Sequence, residues 1–337
     1  MGWTDMTTIS TNADKIYVDN TKLSDYKVCP RYYYLRHIKG WRPGGTAMPL
    51  IFGLCWHEAM NIVWVGYASV RNGSITKWDL VDAAMLAFEN CWTDQGLKAF
   101  EDLDMQDLEM LGARTPMIAK EMLINYIEKR EDILNTMELI AAERPFAVPL
   151  YPDRTDIWYI GRRDKDIKVN GDIVVIEHKT TSEYKIDGGF KSQYLESFYP
   201  NSQVEGYLYA ANIEYGDVRY VWADAALVHK KVHDAFRFIP ISATITALNS
   251  WLWETRDWVD RIQSELERLA DAEAQKILTA FPRSTNQCVG KYGLCSMLPI
   301  CRGFNNPATL DVPPPGFIHD PWNPFDLLHI STLKLEK

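Results

Sequence analysis

The sequence offers no apolar run near the roughly 18 residues that a membrane-spanning helix requires, so no membrane partner is expected. Its opening, MGWTDMTTISTNADK, lacks the basic-then-apolar pattern of a secretory signal, which leads to the expectation of a cytoplasmic protein. Cysteine is sparse, six in 337 residues, and in that compartment structural disulfides are not expected. Apart from a short Pro-rich patch from Val312 to Pro315 there is neither low-complexity sequence nor an internal repeat, which excludes repeat architectures. A G-x-x-x-x-G-K-[ST] phosphate loop is also missing.

What is present is apolar mass. At 47% apolar the chain can build a large core, as one elaborated domain or two. Its net charge of −9 counts against nucleic-acid binding, but the charge is unevenly distributed. Between Lys22 and Arg42 there are six Lys or Arg and one acid, Asp25, interleaved with Tyr26, Tyr32, Tyr33, Tyr34 and Trp41. Such a mixture suits a groove for single-stranded nucleic acid, with cations for phosphates and rings for bases. The plainer alternative is a solvated helix whose tyrosines pack inward.

The period of the apolar residues predicts an N-terminal helix over Asp19 to Lys39, capped by Thr21 or Ser24, and helices over Phe52–Val70, Lys77–Trp92 and Thr115–Asn135. The period then changes to that of strands at Glu138–Leu150, Ile157–Val169 and Asp172–Thr180. A helix at Ser202–Ile213, strands at Val218–Val228 and Phe236–Ile241, and one long helix from Thr244 to Leu278 follow. After Phe281-Pro282 a Cys-, Gly- and Pro-containing coil is expected. Four regions result: 1–50 with the first helix, 51–135 as a helical block, 136–280 as an α/β core with the long helix, and 281–337 as a Cys-rich segment and tail. The fold expected is an α/β one, with a central mixed sheet flanked by helices.

One hairpin stands out, because it places charge where a sheet interior normally rejects it. Asn170-Gly171 is a strong signal for a two-residue type I′ turn. If those two residues are the whole loop, Val169 faces Asp172, and the same register sets Asp164 opposite Glu177, with Asp166 opposite Val175. Lys179 projects from the face that carries Glu177. Opposed carboxylates repel across a ladder, and a divalent cation between them would turn that cost into a binding site. Mg²⁺, which prefers oxygen ligands, fits this pair, and His57 as a further ligand would make Mn²⁺ equally suitable. The alternative is a plain ion pair of Lys179 with one acid.

Cys288, Cys295 and Cys301 lie within fourteen residues on a coil, with Cys29 near the other end of the chain. Four thiolates suit zinc or an iron–sulfur cluster, although C-x6-C-x5-C is not a zinc-ribbon spacing. Cys55 and Cys91 sit in apolar helical surroundings and read as buried structural thiols. His57 in Gly53-Leu-Cys-Trp-His57, and Gln203 with Tyr207 one helical turn apart, would each be packing residues if taken alone. Phe317, Trp322 and Phe325 in the tail could pack on the body or dock a partner.

Taken in order, Gly53-x-x-x-His57, Gly161-x-x-Asp164, Glu177-x-Lys179 and Gln203-x-x-x-Tyr207 resemble the PD-(D/E)xK nuclease superfamily, from about Leu23 to Arg302. The likeness is to its RecB-like branch, which includes AddB-type nuclease domains, CRISPR-adaptation nucleases and phage exonucleases. In the iron–sulfur members of that branch one cysteine precedes the nuclease motifs and three follow, as Cys29 and Cys288, Cys295 and Cys301 do here. The resemblance implies metal ligation by His57, Asp164, Glu177 and the backbone carbonyl of His178, with Lys179 as the catalytic lysine. Gln203 and Tyr207 would contact DNA or support the site, and the four cysteines would hold a [4Fe–4S] cluster, zinc being the lesser alternative. The expected activity is metal-dependent DNA hydrolysis, as an exonuclease on single-stranded ends in recombination, repair or phage DNA processing. It would act alone or with a helicase or recombination partner. A CRISPR-adaptation-type end-trimming nuclease and a non-catalytic DNA-end-binding subunit are the alternatives.

Overall fold

The structure, a computed structural model, describes residues 15–185, 189–270, 272–290, 293–324 and 326, so Phe325 lies outside the described residues. In chain order the elements begin with β1 (Ile16–Val18), α1 (Asn20–Val28), α2 (Pro30–Tyr33), a single π turn at Tyr34–Ile38 and β2 (Trp41–Pro43). The helical stretch that follows comprises α3 (Met48–Arg71), α4 (Lys77–Asp94), α5 (Met105–Leu111), α6 (Pro116–Lys129) and α7 (Glu131–Thr136). Next come β3 (Glu138–Pro149), β4 (Ile157–Val169), β5 (Asp172–Thr181), α8 (Ser192–Glu196), α9 (Ser202–Tyr215), β6 (Tyr220–Leu227), β7 (Phe236–Ser242) and α10 (Ile245–Leu269). The last elements are β8 (Val289–Gly290), β9 (Gly293–Leu294), α11 (Leu298–Gly303) and β10 (Phe317–His319).

The principal sheet is mixed, in the order β1-β4-β5-β6-β7 with β3 also pairing β4. β4 and β5 are antiparallel, β5 and β6 parallel, and β6 and β7 antiparallel. A mixed α/β fold is therefore present, its sheet flanked by helices. The chain divides into two compact units: the described residues of Met1–Arg42, Phe146–Gly161 and Leu252–His329 form one, and those of Pro43–Pro145 and Arg162–Trp251 the other.

In the second unit, α3 supplies the main helical contact of the core. Phe52, Cys55, Trp56, Ala59, Met60, Val63, Trp64 and Tyr67 recur at alternating steps of three and one and are buried. They meet Leu80, Ala84, Phe88 and Trp92 of α4, together with Ile167, Val174 and Ile176 on one face of the sheet. A side chain at Gly66 would put its Cβ 2.7 Å from Leu80 Cδ1, so that glycine permits the close approach of α3 and α4. α3 is long and apolar enough in average composition to cross a membrane, which a search for unbroken apolar runs does not reveal. It carries His57, Glu58 and Asn61, however, and its apolar stripe is used up in packing. Cys55 is buried, as expected, and shares a thiol hydrogen bond with the half-buried Cys91 of α4.

The first unit explains the Tyr-rich stretch. Tyr26, Tyr33, Tyr34 and Trp41 are buried, and Phe281 meets the rings of Tyr34 at 5.4 Å, Tyr33 at 5.9 Å and Tyr26 at 6.5 Å. Arg31 is buried as well, donating from Nε to the Phe281 carbonyl at 2.9 Å. These rings form a core and are not open to bases, which agrees with the plainer reading of residues 22–42, tyrosines packing inward, and not with a single-strand groove. The single N-terminal helix is also corrected. Asp19, not Thr21 or Ser24, caps α1, accepting from Lys22 N at 2.7 Å, and the helix breaks at extended Cys29 before Pro30. The long C-terminal helix stops at Leu269, where the chain returns so that Phe281 N–H reaches Glu265 Oε2 at 2.7 Å. In the tail Phe317 lies in β10, paired with β2, and Lys22 Nζ sits 4.0 Å above the Trp322 ring.

Candidate active site

His57, Asp164, Glu177, His178, Lys179, Gln203 and Tyr207 fall in the second unit, on α3, β4, β5 and α9. The hairpin turns as its sequence requires, with φ of 52° at Asn170 and 93° at Gly171. Backbone pairing runs from Val169↔Asp172 to Lys165↔Ile176, and Asp164 and Glu177 are the next residues along their strands. At that point the Asp164 side chain crosses to β5 itself: its Oδ2 accepts His178 N–H at 2.7 Å. From α3, His57 Nδ1 lies 3.3 Å from the same oxygen. Gly53, one turn earlier, brings α3 close to β5, its missing Cβ pointing 3.5 Å from Thr180 Oγ1. Gly161 serves packing in the first unit, since a Cβ there would fall 2.6 Å from the Phe146 ring.

Lys179 Nζ donates to Glu177 Oε1 and, at 3.2 Å, to Gln203 Oε1 of α9. Gln203 donates in turn to Tyr207 Oη at 3.1 Å, and Tyr207 donates to the Arg162 carbonyl at 2.9 Å. Gln203 and Tyr207 thus form a relay that anchors the lysine to the backbone of β4. Asp166 is placed apart from this cluster. Buried Arg163 forks onto it at 2.8 and 2.7 Å, and Tyr215 donates to it at 2.8 Å, so its charge is already satisfied.

Electrostatics separate the two carboxylates. Burial pushes Glu177 up, and neighbouring Asp164 pushes it further, to about 7. Burial also works against Asp164, but His57 and His178 outweigh it and hold its carboxyl well below the usual range. Lys179 loses stability as a cation through burial, yet Glu177 and Asp164 overcome that and raise its pKa. His57 follows the same pattern, with Asp164 favouring its protonated form. Glu177 Oε2 is buried and has no hydrogen-bond partner. An orphaned carboxylate oxygen in such a place calls for a partner that the protein itself does not supply.

Sequence reasoning missed the support beneath His178. Its imidazole is buried, with Nδ1 3.3 Å from Asp224 Oδ2 of β6. Asp224 also receives Tyr126 Oη–H and, at 2.5 Å, Arg130. Trp64 Nε1 donates to Tyr126 at 2.9 Å, and Arg130 stacks 3.7 Å over Phe238. Burial, only partly offset by Asp224, lowers the His178 pKa and keeps the ring neutral.

The four cysteines lie together in the first unit. Cys29, Cys288, Cys295 and Cys301 line one small cavity with Tyr32 and Arg283. The wide gap between Cys288 and Cys295 is closed by β8 pairing β9, which returns Cys295 N–H to Cys288 O at 3.0 Å. Ser284 N–H points at Cys29 Sγ, 3.4 Å away, and the Met297 and Leu298 N–H groups face the Cys295 sulfur. Burial raises the Cys301 thiol to about 11, against the pull of Arg31. Among the described residues, however, no three or more His, Cys, Asp or Glu form a group that could hold a metal ion as they stand. The thiols share a cavity without closing on one point, and at the hairpin the lysine and the histidine sit against the carboxylates themselves.

A family model of the PD-(D/E)XK nuclease superfamily matches residues 20–302. Among solved structures, a protein from Eubacterium rectale named as a candidate exonuclease is similar at 15% identity and a TM-score of 0.43, over 78% of this chain and 86% of that one. The protein SSO0001 is similar at 14% identity and a TM-score of 0.29, over 74% of this chain and 77% of that one. No curated protein is similar enough to this chain to count as a match.

Proposed function

This chain belongs to the PD-(D/E)XK nuclease superfamily, and on that premise we propose that it is a metal-dependent deoxyribonuclease, hydrolysing phosphodiester bonds from single-stranded ends. The observation that carries this reading is the orphaned Glu177 Oε2 beside Asp164. Two buried carboxylates, one with an unpartnered oxygen, fit a hard divalent cation such as Mg²⁺ or Mn²⁺. His57, Asp164, Glu177 and the His178 carbonyl would hold it, and Lys179 and protonated His57 stand in for its charge in its absence. When bound, the cation would make water a nucleophile at neutral pH and offset charge on the phosphate.

The protein's own groups have distinct tasks. Lys179 stays protonated, so it acts as a cation and donor, not as a base. Glu177 and Gln203 use two of its three N–H groups, leaving the third for a phosphate oxygen or the attacking water. Gln203 and Tyr207 hold the lysine in place, and the Asp224–His178 contact keeps the strand that carries Glu177 and Lys179 in register.

In the other unit the four thiols line one cavity, and drawn together they would hold a [4Fe–4S] cluster or, as the lesser alternative, zinc, which would fasten the C-terminal coil to α1 and α2. The function that these features serve is recombination, repair or phage DNA processing. Digestion of end-labelled single- and double-stranded DNA with Mg²⁺, Mn²⁺ or EDTA tests the reading. Metal-dependent cleavage by the wild type, lost in Glu177→Ala and Lys179→Ala while both variants stay folded, is the expected result. DNA binding without cleavage in any metal would refute it and identify an end-binding subunit.

A further inference from the structure

Beyond Lys179, β5 runs on for two residues and ends at Thr181, and three separate segments converge there in the second unit. Arg114, after α5, donates to Ser182 Oγ at 2.9 Å. Val228 N–H returns to Thr181 O at 2.7 Å, which brings the turn after β6 alongside. In that turn the His229 ring lies 4.5 Å from the ring of Tyr184, edge to face, and a Cβ at Gly112 would meet Lys230 Cε at 3.7 Å. Arg114, Ser182, Tyr184, His229 and Lys230 therefore form one contiguous ledge. Lys231 and Lys185 are exposed beside it.

The cations of this ledge have no ion pair among the described residues. Arg114 is half-buried, and its guanidinium donates to a hydroxyl; burial, with no carboxylate to offset it, lowers its pKa. Lys185, Lys230 and Lys231 have no ion pair among the described residues, whereas Lys191 lies 3.9 Å from Glu183, the acid of this cluster. A guanidinium taken partly out of water without an acid is a costly feature in a chain of net charge −9 unless an external anion meets it. Tyr184 is 45% exposed, held on edge by a His229 ring whose Nδ1 accepts the N–H groups of Lys231 and Val232. An exposed, buttressed ring beside Lys185, Lys230 and Lys231, which have no ion pair among the described residues, is suited to stacking a base.

We infer that this ledge binds a stretch of single-stranded nucleic acid flanking the scissile phosphate, with Arg114, Lys230 and Lys231 on phosphates and Tyr184 under a base. Ser182 lies three residues past Lys179, about 10 Å along an extended strand, so the ledge meets nucleotides next to the reacting one. The inference rests on the nuclease reading for its orientation, but binding can be measured without cleavage.

The test is fluorescence anisotropy of a labelled oligo-dT, and of a blunt duplex, titrated with the full chain in EDTA at several salt concentrations. Arg114→Gln and Lys230→Ala/Lys231→Ala should each bind oligo-dT roughly five- to tenfold more weakly, and the salt slope should become shallower by about 0.7 for each phosphate no longer neutralised. Tyr184→Ala should weaken oligo-dT roughly tenfold and the duplex far less, and Tyr184→Phe should restore binding. Lys168→Ala, at the far end of the hairpin about 30 Å along β5, is the charge control and should bind as wild type. Unchanged melting temperatures show that each variant is folded. Wild-type affinity in all ledge variants, equal loss in Lys168→Ala, or equal loss on duplex and single strand would each overturn the ledge. A wild type that binds through the ledge but cuts nothing with Mn²⁺ would keep the ledge and overturn the nuclease reading instead.

Discussion

Removing the Glu177 carboxylate should make the metal-free protein more stable, not less. In the folded state Glu177 is raised from 4.5 to about 7, by burial first and by Asp164 second. Between those values the unfolded chain has already released its proton while the native state still holds it, so stability falls as pH rises. At about 1.36 kcal/mol per unit, the wild type loses on the order of 3 kcal/mol between pH 4.5 and 7 from this group. Glu177→Gln keeps the shape and hydrogen-bonding capacity but cannot ionise. In EDTA at pH 8 it should therefore exceed the wild type by up to about 3 kcal/mol, and at pH 4.5 the two should nearly coincide. Urea denaturation followed by tryptophan fluorescence measures both points. Adding Mn²⁺ at pH 8 should then raise the wild type and leave the variant nearly unmoved. A variant less stable than wild type at pH 8, by an amount independent of pH, would refute the account of Glu177 as a buried carboxylate that its pair with Lys179 does not fully offset.

Gly161→Ala should cost about 1–3 kcal/mol, because its methyl would collide with the Phe146 ring, and Phe146→Leu should recover part of that loss in a thermal melt. Asp224→Ala strands a buried arginine and the Tyr126 hydroxyl, so urea denaturation should show a loss of about 3–5 kcal/mol, against about 1 kcal/mol for Tyr126→Phe. A protein purified without oxygen should absorb at roughly 400 nm, and Cys295→Ser should lose that band and melt earlier; a colourless wild type that contains zinc would point to the other metal.

The sequence made the hairpin legible because every determinant is local: Asn170 and Gly171 alone take the positive φ values that fix the turn, and the turn fixes the ladder. The stripe on α3 was legible for the same reason, since its period is written in consecutive residues. Asp224, Tyr126 and Arg130 are different. Asp224 lies 98 residues from Tyr126 and 94 from Arg130, so neither bond is written in neighbouring residues. One signal was available: Asp224 interrupts Val221-Trp-Ala-Asp-Ala-Ala-Leu227, and a buried carboxylate in an apolar strand needs a counter-charge as much as Asp164 does. The end of α10 had no comparable signal, because the Glu265–Phe281 bond that accompanies the return of the chain is tertiary.

The placement of the cations argues further against reading nucleic-acid contacts from local density. Residues 22–42 hold six cations and five large rings, yet four of the rings and Arg31 are buried, and Arg36, Lys39 and Arg42 are bonded within the chain. The Lys22 pKa is depressed to about 8 by burial, Arg31 is bonded to the Phe281 carbonyl, and the rings surround Phe281. At the end of β5 no segment is conspicuously basic: Arg114 comes from one loop, Lys185 from a second, and Lys230 with Lys231 from a third. What distinguishes them is that they have no ion pair among the described residues, and only the pairing of charges in the folded chain shows that. A cation already committed to a carbonyl or a carboxylate has little left to offer a phosphate, whereas one without an acid gains by meeting it. The sum of charges in a window therefore says less about a polyanion site than the number left over after folding.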